Sequence, residues 1–241
     1  AIGAGDTLVG RTTACTYPPA VSRVPAIGDF GTPSFESVVA ASPTLILDID
    51  IKSSGIGPRL DMLGLRRLSI PCRNLDDIPT AIRSIGIVLR RETHADMLAD
   101  SLNANIEDFR RAAPKANRPR VFVELGADPL TTAGSKSFVS EVIALAGGEN
   151  IGDKIARAQF EIQPEWVVSH NPDVILCMSL PSGGSLRNLV MKRPGWAGIS
   201  AVRNGRVYDN LNLDVMLMPG PRVLQGIDEL RATIAGIRKP D

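Results

Sequence analysis

Residues 34–48 read SFESVVAASPTLILD and residues 163–177 read QPEWVVSHNPDVILC, so one short pattern occurs twice in the chain. In each copy an acidic residue, Glu36 or Glu165, stands shortly before two adjacent valines. A proline follows the valines, and a run of three apolar residues closes the pattern. The repeat predicts that the two halves of the chain build two similar structural units.

Each copy of the pattern indicates a helix followed by a strand. In FESVVAA and PEWVVSH, apolar residues recur at i, i+3 and i+4, which is the spacing of one helical face. Pro43 and Pro172 end these helices, because proline also disfavours helical geometry in the residue before it. The runs TLILDI and DVILCM are apolar on both faces, as buried parallel strands are.

A second similarity links the start of the chain to its second half. AIGAGDTLVG at residues 1–10 resembles ALAGGENIGD at residues 144–153. The later copy follows a predicted strand at residues 120–125 and a predicted helix at residues 137–146. By analogy, we expect the equivalent of residues 120–146 to lie upstream of Ala1, or to have been lost or moved.

The middle of the chain is predicted to be helical. One helix is expected at residues 77–89 and a longer one at residues 92–113. The longer helix would measure on the order of 30 Å at 1.5 Å per residue. Its apolar residues recur at spacings of four, four and three, as expected for an amphipathic helix. These residues are Leu98, Leu102, Ile106 and Phe109.

These elements predict an α/β fold of two Rossmann-like lobes with central, mostly parallel sheets, bridged by one long helix. The predicted organisation is an incomplete N-terminal lobe at residues 1–76, a helical segment at 77–117 and a C-terminal lobe at 118–241. Ligands commonly bind in clefts between such domains, so the interlobe cleft is the expected binding site.

Composition excludes several classes of function. Lysine and arginine total 27 against 26 acidic residues, a net charge of +1 that gives no electrostatic basis for binding nucleic acid. Cys15, Cys72 and Cys177 have no zinc-site spacing. We expect buried or half-buried thiols, with a disulfide between two of them as the alternative.

Motifs for catalysis are also missing from the sequence. In GADPLTTAGSK a serine separates the glycine from Lys136, so the phosphate-loop pattern fails, and neither GxSxG nor HExxH occurs. His94 and His170 are interpreted as structural, whereas Asp48 and Asp50 follow a strand and are candidates for binding. We therefore predict no enzymatic activity, no catalytic residue, no resident metal site and no cofactor.

Three motifs in order along the chain resemble those of one protein family. They lie at residues 16–47, 119–151 and 192–209. Together they resemble the helical-backbone (class III) substrate-binding proteins of ABC importers, the receptors for vitamin B12, ferric siderophores and haem. The resemblance implies a monomeric, periplasmic or extracytoplasmic receptor that delivers a small metal chelate to a permease dimer in the membrane. It also allows a lipid anchor at an N-terminus not present here.

The resemblance assigns a role to the repeated acidic residues. In this family a glutamate on each lobe docks into an arginine pocket of one membrane subunit, and Glu36 and Glu165 occupy those positions. The alternative is that each glutamate only favours the N-terminus of its helix, an effect of about 0.3–1 kcal/mol. That effect does not explain why both lobes carry one.

The resemblance also indicates ligand contacts, and it favours a corrinoid as the ligand. Two of the positions depart from the family pattern: Thr131 replaces a frequent aromatic residue, and Met218 replaces an arginine of the vitamin B12 receptors. Core packing is the alternative for the methionines. The predicted ligand-binding residues are Tyr17, Phe30, Asp50, Lys52, Thr131, Asp214, Met216 and Met218.

Two alternatives to a corrinoid receptor stay open. The first is a ferric siderophore or haem receptor of the same family. The second, from another class, is a metallocluster-assembly or enzyme subunit with two Rossmann-like lobes. It would need cysteine ligands facing one cleft or a phosphate loop, and neither is visible in the sequence.

Overall fold

A computed structural model describes residues 1–49, 56–62, 64–179 and 185–236 of the chain. Asp50 and Lys52, two of the predicted ligand contacts, lie outside the described residues. The chain divides into two compact units. The first unit comprises Ala1–Cys72 and Thr80–Ala99, and the second comprises Arg73–Pro79 and Asp100–Asp241. The predicted separation of residues 77–117 as a helical segment of its own stays a prediction.

The first half of the chain contains four short strands and four helices, and its two longest helices come after the last of these strands. The strands are β1 (Gly28–Asp29), β2 (Thr32–Pro33), β3 (Ile46–Ile49) and β4 (Arg67–Ile70). The helices are α1 (Phe35–Ala40), α2 (Ile56–Asp61), α3 (Asp77–Val88) and α4 (Glu92–Ala112), with short 3₁₀ helices at Gly5–Thr7 and Pro19–Arg23.

The second half contains seven described strands and six described helices. The strands are β5 (Arg120–Glu124), β6 (Gly126–Ala127), β7 (Leu130–Ala133), β8 (Glu149–Asn150), β9 (Gln159–Glu161), β10 (Val174–Cys177) and β11 (Val207–Tyr208). The helices are α5 (Phe138–Leu145), α6 (Pro164–His170), α7 (Leu186–Met191), α8 (Ser200–Arg203), α9 (Leu213–Met216) and α10 (Val223–Ile234).

The second unit is built on a parallel sheet in the order β11-β10-β5-β8. Every residue of β10 is buried, which confirms the prediction that the run DVILCM is buried on both faces. In β5, which was predicted as a strand, only Arg120 is exposed. The core beneath the sheet includes Phe122 and Trp196, whose rings meet edge to face at 5.9 Å. A separate antiparallel sheet orders its strands β6-β7-β9.

The first unit contains a smaller parallel pair, β3 with β4, in which Ile46 lies opposite Arg67. The prediction that this strand is buried on both faces was wrong, since Leu47 keeps 40% of its surface exposed. A parallel strand is fully buried only when elements cover both faces and both edges. Among the described residues, β3 has a partner strand on one edge alone.

The two predicted repeat helices are present as α1 and α6. Ser34 caps α1 by accepting a hydrogen bond from the Ser37 amide at 3.2 Å, and Pro164 occupies the first turn of α6. The helices end before their prolines because Ser42 and Asn171 adopt left-handed backbone angles, with φ of 47° and 41°.

The predicted helical middle is confirmed by α3 and α4. Helix α4 has 21 residues, about 30 Å at 1.5 Å per residue, and contributes residues to both units. Its buried side chains recur at helical spacing, as an amphipathic helix requires. They are Ala95, Ala99, Leu102 and Ile106. Across the described part of the chain, we find no helix whose length and apolar character suit it to cross a membrane.

Candidate functional site

The repeated acidic residues stand at equivalent places in the two units. Glu36 lies in the first turn of α1, and Glu165 lies in the first turn of α6. Both side chains are exposed, and neither carboxylate makes an ion pair or hydrogen bond with another described residue. A free carboxylate at a helix N-terminus is stabilised by the helix dipole and stays available to an external cation.

An exposed valine accompanies each glutamate. Val39 and Val168 stand three positions after Glu36 and Glu165, so each shares a helix face with its glutamate. Their exposed fractions are 51% and 40%, whereas the preceding valine of each helix is buried. Each unit therefore presents an anionic group next to an apolar side chain, and the buried valine anchors the helix beneath them.

The two predicted aromatic contacts lie on the surface of the first unit. Tyr17 is 58% exposed in the loop before the second 3₁₀ helix, and Phe30 is 55% exposed at the turn between β1 and β2. Phe30 also lines a cavity of about 210 Å³, whose described lining does not include Tyr17. Exposed aromatic rings are scarce in this chain, in which aromatic residues make up 4%. Both side chains are accessible to solvent.

Asp48 was a candidate for binding, but the structure gives it a structural partner. Its carboxylate lies 3.1 Å from the Arg67 guanidinium, and both groups are largely buried. Arg67 also makes a two-pronged contact with Asp61, at 2.8 and 2.9 Å. These hydrogen bonds hold the pKa of the Asp61 carboxyl below its ordinary value. The three side chains fix α2 against β3 and β4 rather than leaving Asp48 free for a ligand.

Two of the predicted ligand contacts in the second unit are buried. Thr131 is 8% exposed, and its hydroxyl accepts a hydrogen bond from Gln159 at 3.0 Å. Met216 is 1% exposed in the core, so core packing accounts for it. Packing within the second unit accounts for the burial of both side chains.

The other two predicted contacts of the second unit remain partly accessible. Asp214 lies in the first turn of the short helix α9 and is half-exposed, and Met218 follows that helix with 38% of its surface exposed. Of the residues predicted in this segment, these two keep the accessibility that a ligand contact requires.

Sequence reasoning missed a buried ion pair at the carboxyl edge of the parallel sheet in the second unit. Glu124 ends β5 with 1% of its side chain exposed, and it binds the Arg193 guanidinium through two contacts of 2.8 and 3.1 Å. Arg193 lies over the Trp196 ring at 4.3 Å. A charged residue directly after the apolar run at residues 121–123 was the available signal.

The neighbouring strands at this edge also end in polar groups. Asp209, just after β11, accepts hydrogen bonds from the Ser185 hydroxyl at 2.8 Å and the Arg187 amide at 2.9 Å. Carboxyl ends of parallel strands are the usual place for ligands in open α/β sheets. In this unit the carboxylates of Glu124 and Asp209 instead bind residues of the segment that follows β10. Among the described residues, no three His, Cys, Asp or Glu side chains gather into a possible metal site.

None of the cysteines at positions 15, 72 and 177 takes part in a disulfide, so the predicted alternative of a disulfide is not observed. Cys177 is buried as predicted and Cys72 is half-buried, but Cys15 is exposed, which corrects the expectation for that residue. Burial raises the pKa of the Cys177 thiol, and the nearby negative charge of Glu124 raises it further.

We predict that a thiol reagent at pH 8 labels Cys15 in the native protein at least roughly 100-fold faster than Cys177, because the thiolate is the reactive form. Mass spectrometry of labelled peptides over time measures both rates. In urea the two rates should converge. Equal rates in the native protein would contradict the burial and raised pKa of Cys177.

The chain is similar to known proteins along most of its length. Residues 1–210 match the model of the periplasmic binding protein family. The chain is 30% identical over 243 residues to the uncharacterized ABC transporter substrate-binding lipoprotein YvrC of Bacillus subtilis, covering 97% of this chain and 75% of that protein.

Two further similar proteins have names that state what they bind or take up. The chain is 28% identical over 213 residues to the high-affinity heme uptake system protein IsdE of Staphylococcus aureus, covering 84% of this chain and 72% of that protein. The crystal structure of the periplasmic vitamin B12 binding protein BtuF of Vibrio cholerae superposes with a TM-score of 0.80 at 24% identity, covering 98% of this chain and 91% of that one. At 24% identity, the similarity to the vitamin B12 binding protein shows a shared fold.

Proposed function

Since the chain belongs to the periplasmic binding protein family, we propose that it captures a metal chelate outside the cytoplasm and delivers it to the permease of an ABC importer. The proposed mechanism is binding without chemistry. The ligand is held, the loaded receptor docks on the membrane subunits, and docking releases the ligand. Extracytoplasmic location follows from this role.

The observation that supports delivery to a permease is the matched pair of free carboxylates, Glu36 and Glu165. A permease dimer offers two related surfaces, and a receptor that docks on both needs one anionic contact for each. Charge complementarity speeds encounter and sets orientation. The exposed valine beside each glutamate adds apolar area, which stabilises a docked complex once water is displaced.

The observation that supports a flat chelate is the exposure of Tyr17 and Phe30 in the first unit. Aromatic side chains bury a large apolar area with few rotamers to restrict, which suits the face of a macrocycle. The methionine side chain of Met218 provides adaptable apolar contact in the second unit. We therefore propose a corrinoid as the first candidate ligand.

Haem is the second candidate, because a curated relative at 28% identity is a heme uptake system protein. Corrinoid and haem each place a metal at the centre of a broad, flattened tetrapyrrole-type macrocycle, so the same aromatic contacts could serve either ring face. They differ in absorbance and in the axial ligands they accept from a protein.

We expect protein purified from its native host to carry an absorbance band near the corrin region if it binds a corrinoid, or a Soret band if it binds haem. Titration of ligand-free protein with hydroxocobalamin and with haemin then gives the two affinities. Truncation of Tyr17 or Phe30 to alanine should weaken the preferred ligand by about 1–2 kcal/mol, roughly 5- to 30-fold.

The matched control for these variants is Leu189→Ala, which removes an exposed apolar side chain from the second unit, where 54% of it is accessible. It should leave both affinities unchanged. Failure of the protein to bind either macrocycle above the level of an unrelated protein would contradict the proposed ligand class.

A further inference from the structure

Three cationic residues of the second unit lie on two neighbouring surface segments. Lys136 stands just before α5, whereas Lys154 and Arg157 stand between β8 and β9. All three are exposed, and none makes a side-chain hydrogen bond or ion pair with another described residue. We call these three residues the basic patch. Because the chain as a whole has a net charge of only +1, the basic patch is a local concentration of charge.

Backbone hydrogen bonds hold the two segments of the basic patch side by side. The Lys136 amide donates to the Arg157 carbonyl at 3.1 Å. The Ser135 amide donates to the Ile155 carbonyl at 2.9 Å, and Lys154 directly precedes Ile155. Lysine and arginine side chains extend their charged groups well beyond the backbone, so the three cations share one surface.

The acidic residues near the basic patch along the chain are engaged elsewhere. The Asp153 carboxylate accepts hydrogen bonds from the Asn150 side-chain amide, at 3.0 Å, and from the Ser140 hydroxyl. Asn150 and Ser140 are buried, so this carboxylate is bound to the interior of the unit. Glu161 lies opposite Thr131, at the end of the β7–β9 pairing away from the basic patch. Among the described residues, the three cations therefore have no anionic partner.

The basic patch lies on the side of the parallel sheet where ligands commonly bind. Strands β5 and β8 are parallel, and α5 connects them. A helix that connects two parallel strands begins at the carboxyl edge of the sheet, and Lys136 stands just before the start of α5 at Phe138. Ligands of open α/β sheets usually bind outside this edge. The partial positive charge of the α5 N-terminus adds to that of the cations.

An apolar side chain accompanies the cations. Ile155 lies between Lys154 and Arg157 in the sequence and keeps 38% of its surface exposed. Cations beside exposed apolar area suit a molecule that combines an apolar body with acidic groups, because charge pairing and burial of apolar surface then act together. Metal chelates with carboxylate or phosphate substituents have this composition.

We propose that the basic patch binds acidic substituents of the ligand, and hence that the ligand is a metal chelate carrying carboxylate or phosphate groups. This inference rests on the proposed function and narrows its ligand class. Haem carries a pair of carboxylates and cobalamin a single phosphodiester, so both candidates supply the anion, haem with the larger effect. Neighbouring unpaired cations attract an anion together, because each adds to the same local potential.

The test replaces all three cations in the variant Lys136→Gln/Lys154→Gln/Arg157→Gln and titrates the purified protein with haemin and with hydroxocobalamin. We expect the affinity for the preferred ligand to fall roughly 10-fold, since exposed charge pairs each contribute modestly. Added salt should weaken binding by the natural protein, and the variant should lose most of this salt dependence. Haemin dimethyl ester, which has no free carboxylate, should bind to both proteins alike.

The matched control is Lys115→Gln/Lys192→Gln/Arg203→Gln. It removes three other exposed cations of the second unit that have no described side-chain partner, and it changes the net charge equally. The control should keep the affinities and the salt dependence of the natural protein. Melting temperatures close to that of the natural protein verify that both variants are folded.

Equal affinities of the two triple variants for haemin and for hydroxocobalamin would overturn the proposal and leave the proposed function intact. A loss confined to binding of phosphatidylglycerol vesicles would also overturn it, because the basic patch would then face a membrane. If the natural protein binds neither macrocycle, titration with ferric citrate decides the question. Binding of ferric citrate that only the patch variant loses supports an anionic chelate, whereas no binding, or binding that both variants keep, contradicts it.

Discussion

Replacing Glu36 and Glu165 together by alanine is expected to reduce uptake roughly 100-fold while leaving the affinity for the ligand unchanged. Both carboxylates are exposed and make no described internal contact, so their removal costs the free protein little. Interfacial charge pairs couple with about 1.5 kcal/mol or more. Two such losses amount to about 3 kcal/mol, which is two orders of magnitude in affinity for the permease.

The measurement is uptake of labelled ligand by cells that carry the permease and the variant receptor, together with ligand titration of the purified protein. The double variant Glu36→Gln/Glu165→Gln removes both charges and keeps side-chain size nearly constant, so it separates the effect of charge from that of size. Binding of the natural receptor to the permease should also weaken as salt is added, because salt screens exposed charges.

Glu92→Ala serves as the matched control, because Glu92 is also an exposed glutamate in the first turn of a helix, α4. If the glutamates only stabilise the N-termini of their helices, each of the three alanine substitutions should lower the free energy of unfolding by about 0.3–1 kcal/mol. None of them should then affect uptake. Normal uptake by the double variant would remove the docking role.

The second large effect is expected from Glu124→Ala, which should destabilise the second unit by about 3–5 kcal/mol. The substitution leaves the Arg193 guanidinium, only 18% exposed, without its carboxylate partner. An uncompensated charge in this position is costly because the protein interior solvates it poorly. The loss corresponds to a fall in melting temperature of about 6–20 °C for a unit of this size.

Thermal and urea unfolding monitored by tryptophan fluorescence measure this effect, since Trp196 lies under Arg193. Asp108→Ala is the control for an exposed ion pair, formed with Arg111 on α4, and should change stability by less than about 1 kcal/mol. Replacing both Glu124 and Arg193 by methionine should cost less than Glu124→Ala alone, because neither charge is then left unpaired.

A loss for Glu124→Ala no larger than that for Asp108→Ala would contradict the assignment of Glu124 and Arg193 as a buried pair. A double methionine variant as unstable as the single alanine variant would show that packing, rather than charge, accounts for the loss.

Much of the local structure could be predicted from residue patterns. Helix α4 was predicted at residues 92–113 and is observed at Glu92–Ala112, and the repeated helix–strand pattern is observed as α1 with β3 and α6 with β10. Helical periodicity, capping residues and prolines act over a few residues, so the sequence displays their causes directly. The matching glutamates followed from the same repeat.

Side-chain burial could not be predicted in the same way. Thr131, Met216 and Asp48 were plausible contacts by their position in the sequence, and each is engaged within its own unit. Glu124 was overlooked, since its partner Arg193 is 69 residues away along the chain. Contacts of that kind depend on which strands become neighbours, and no local pattern records them.

By itself, the sequence determined the α/β class, the duplicated helix–strand unit, the long helix and the pair of equivalent acidic residues, because each depends on short-range periodicity or on direct comparison of two stretches. Only the tertiary structure decided which polar residues are buried and paired, which aromatic rings remain exposed, and that β3 pairs with one strand among the described residues whereas β10 pairs with two. Burial and strand pairing are properties of segments that meet in space, and their free energies arise only when the folded chain brings those segments together.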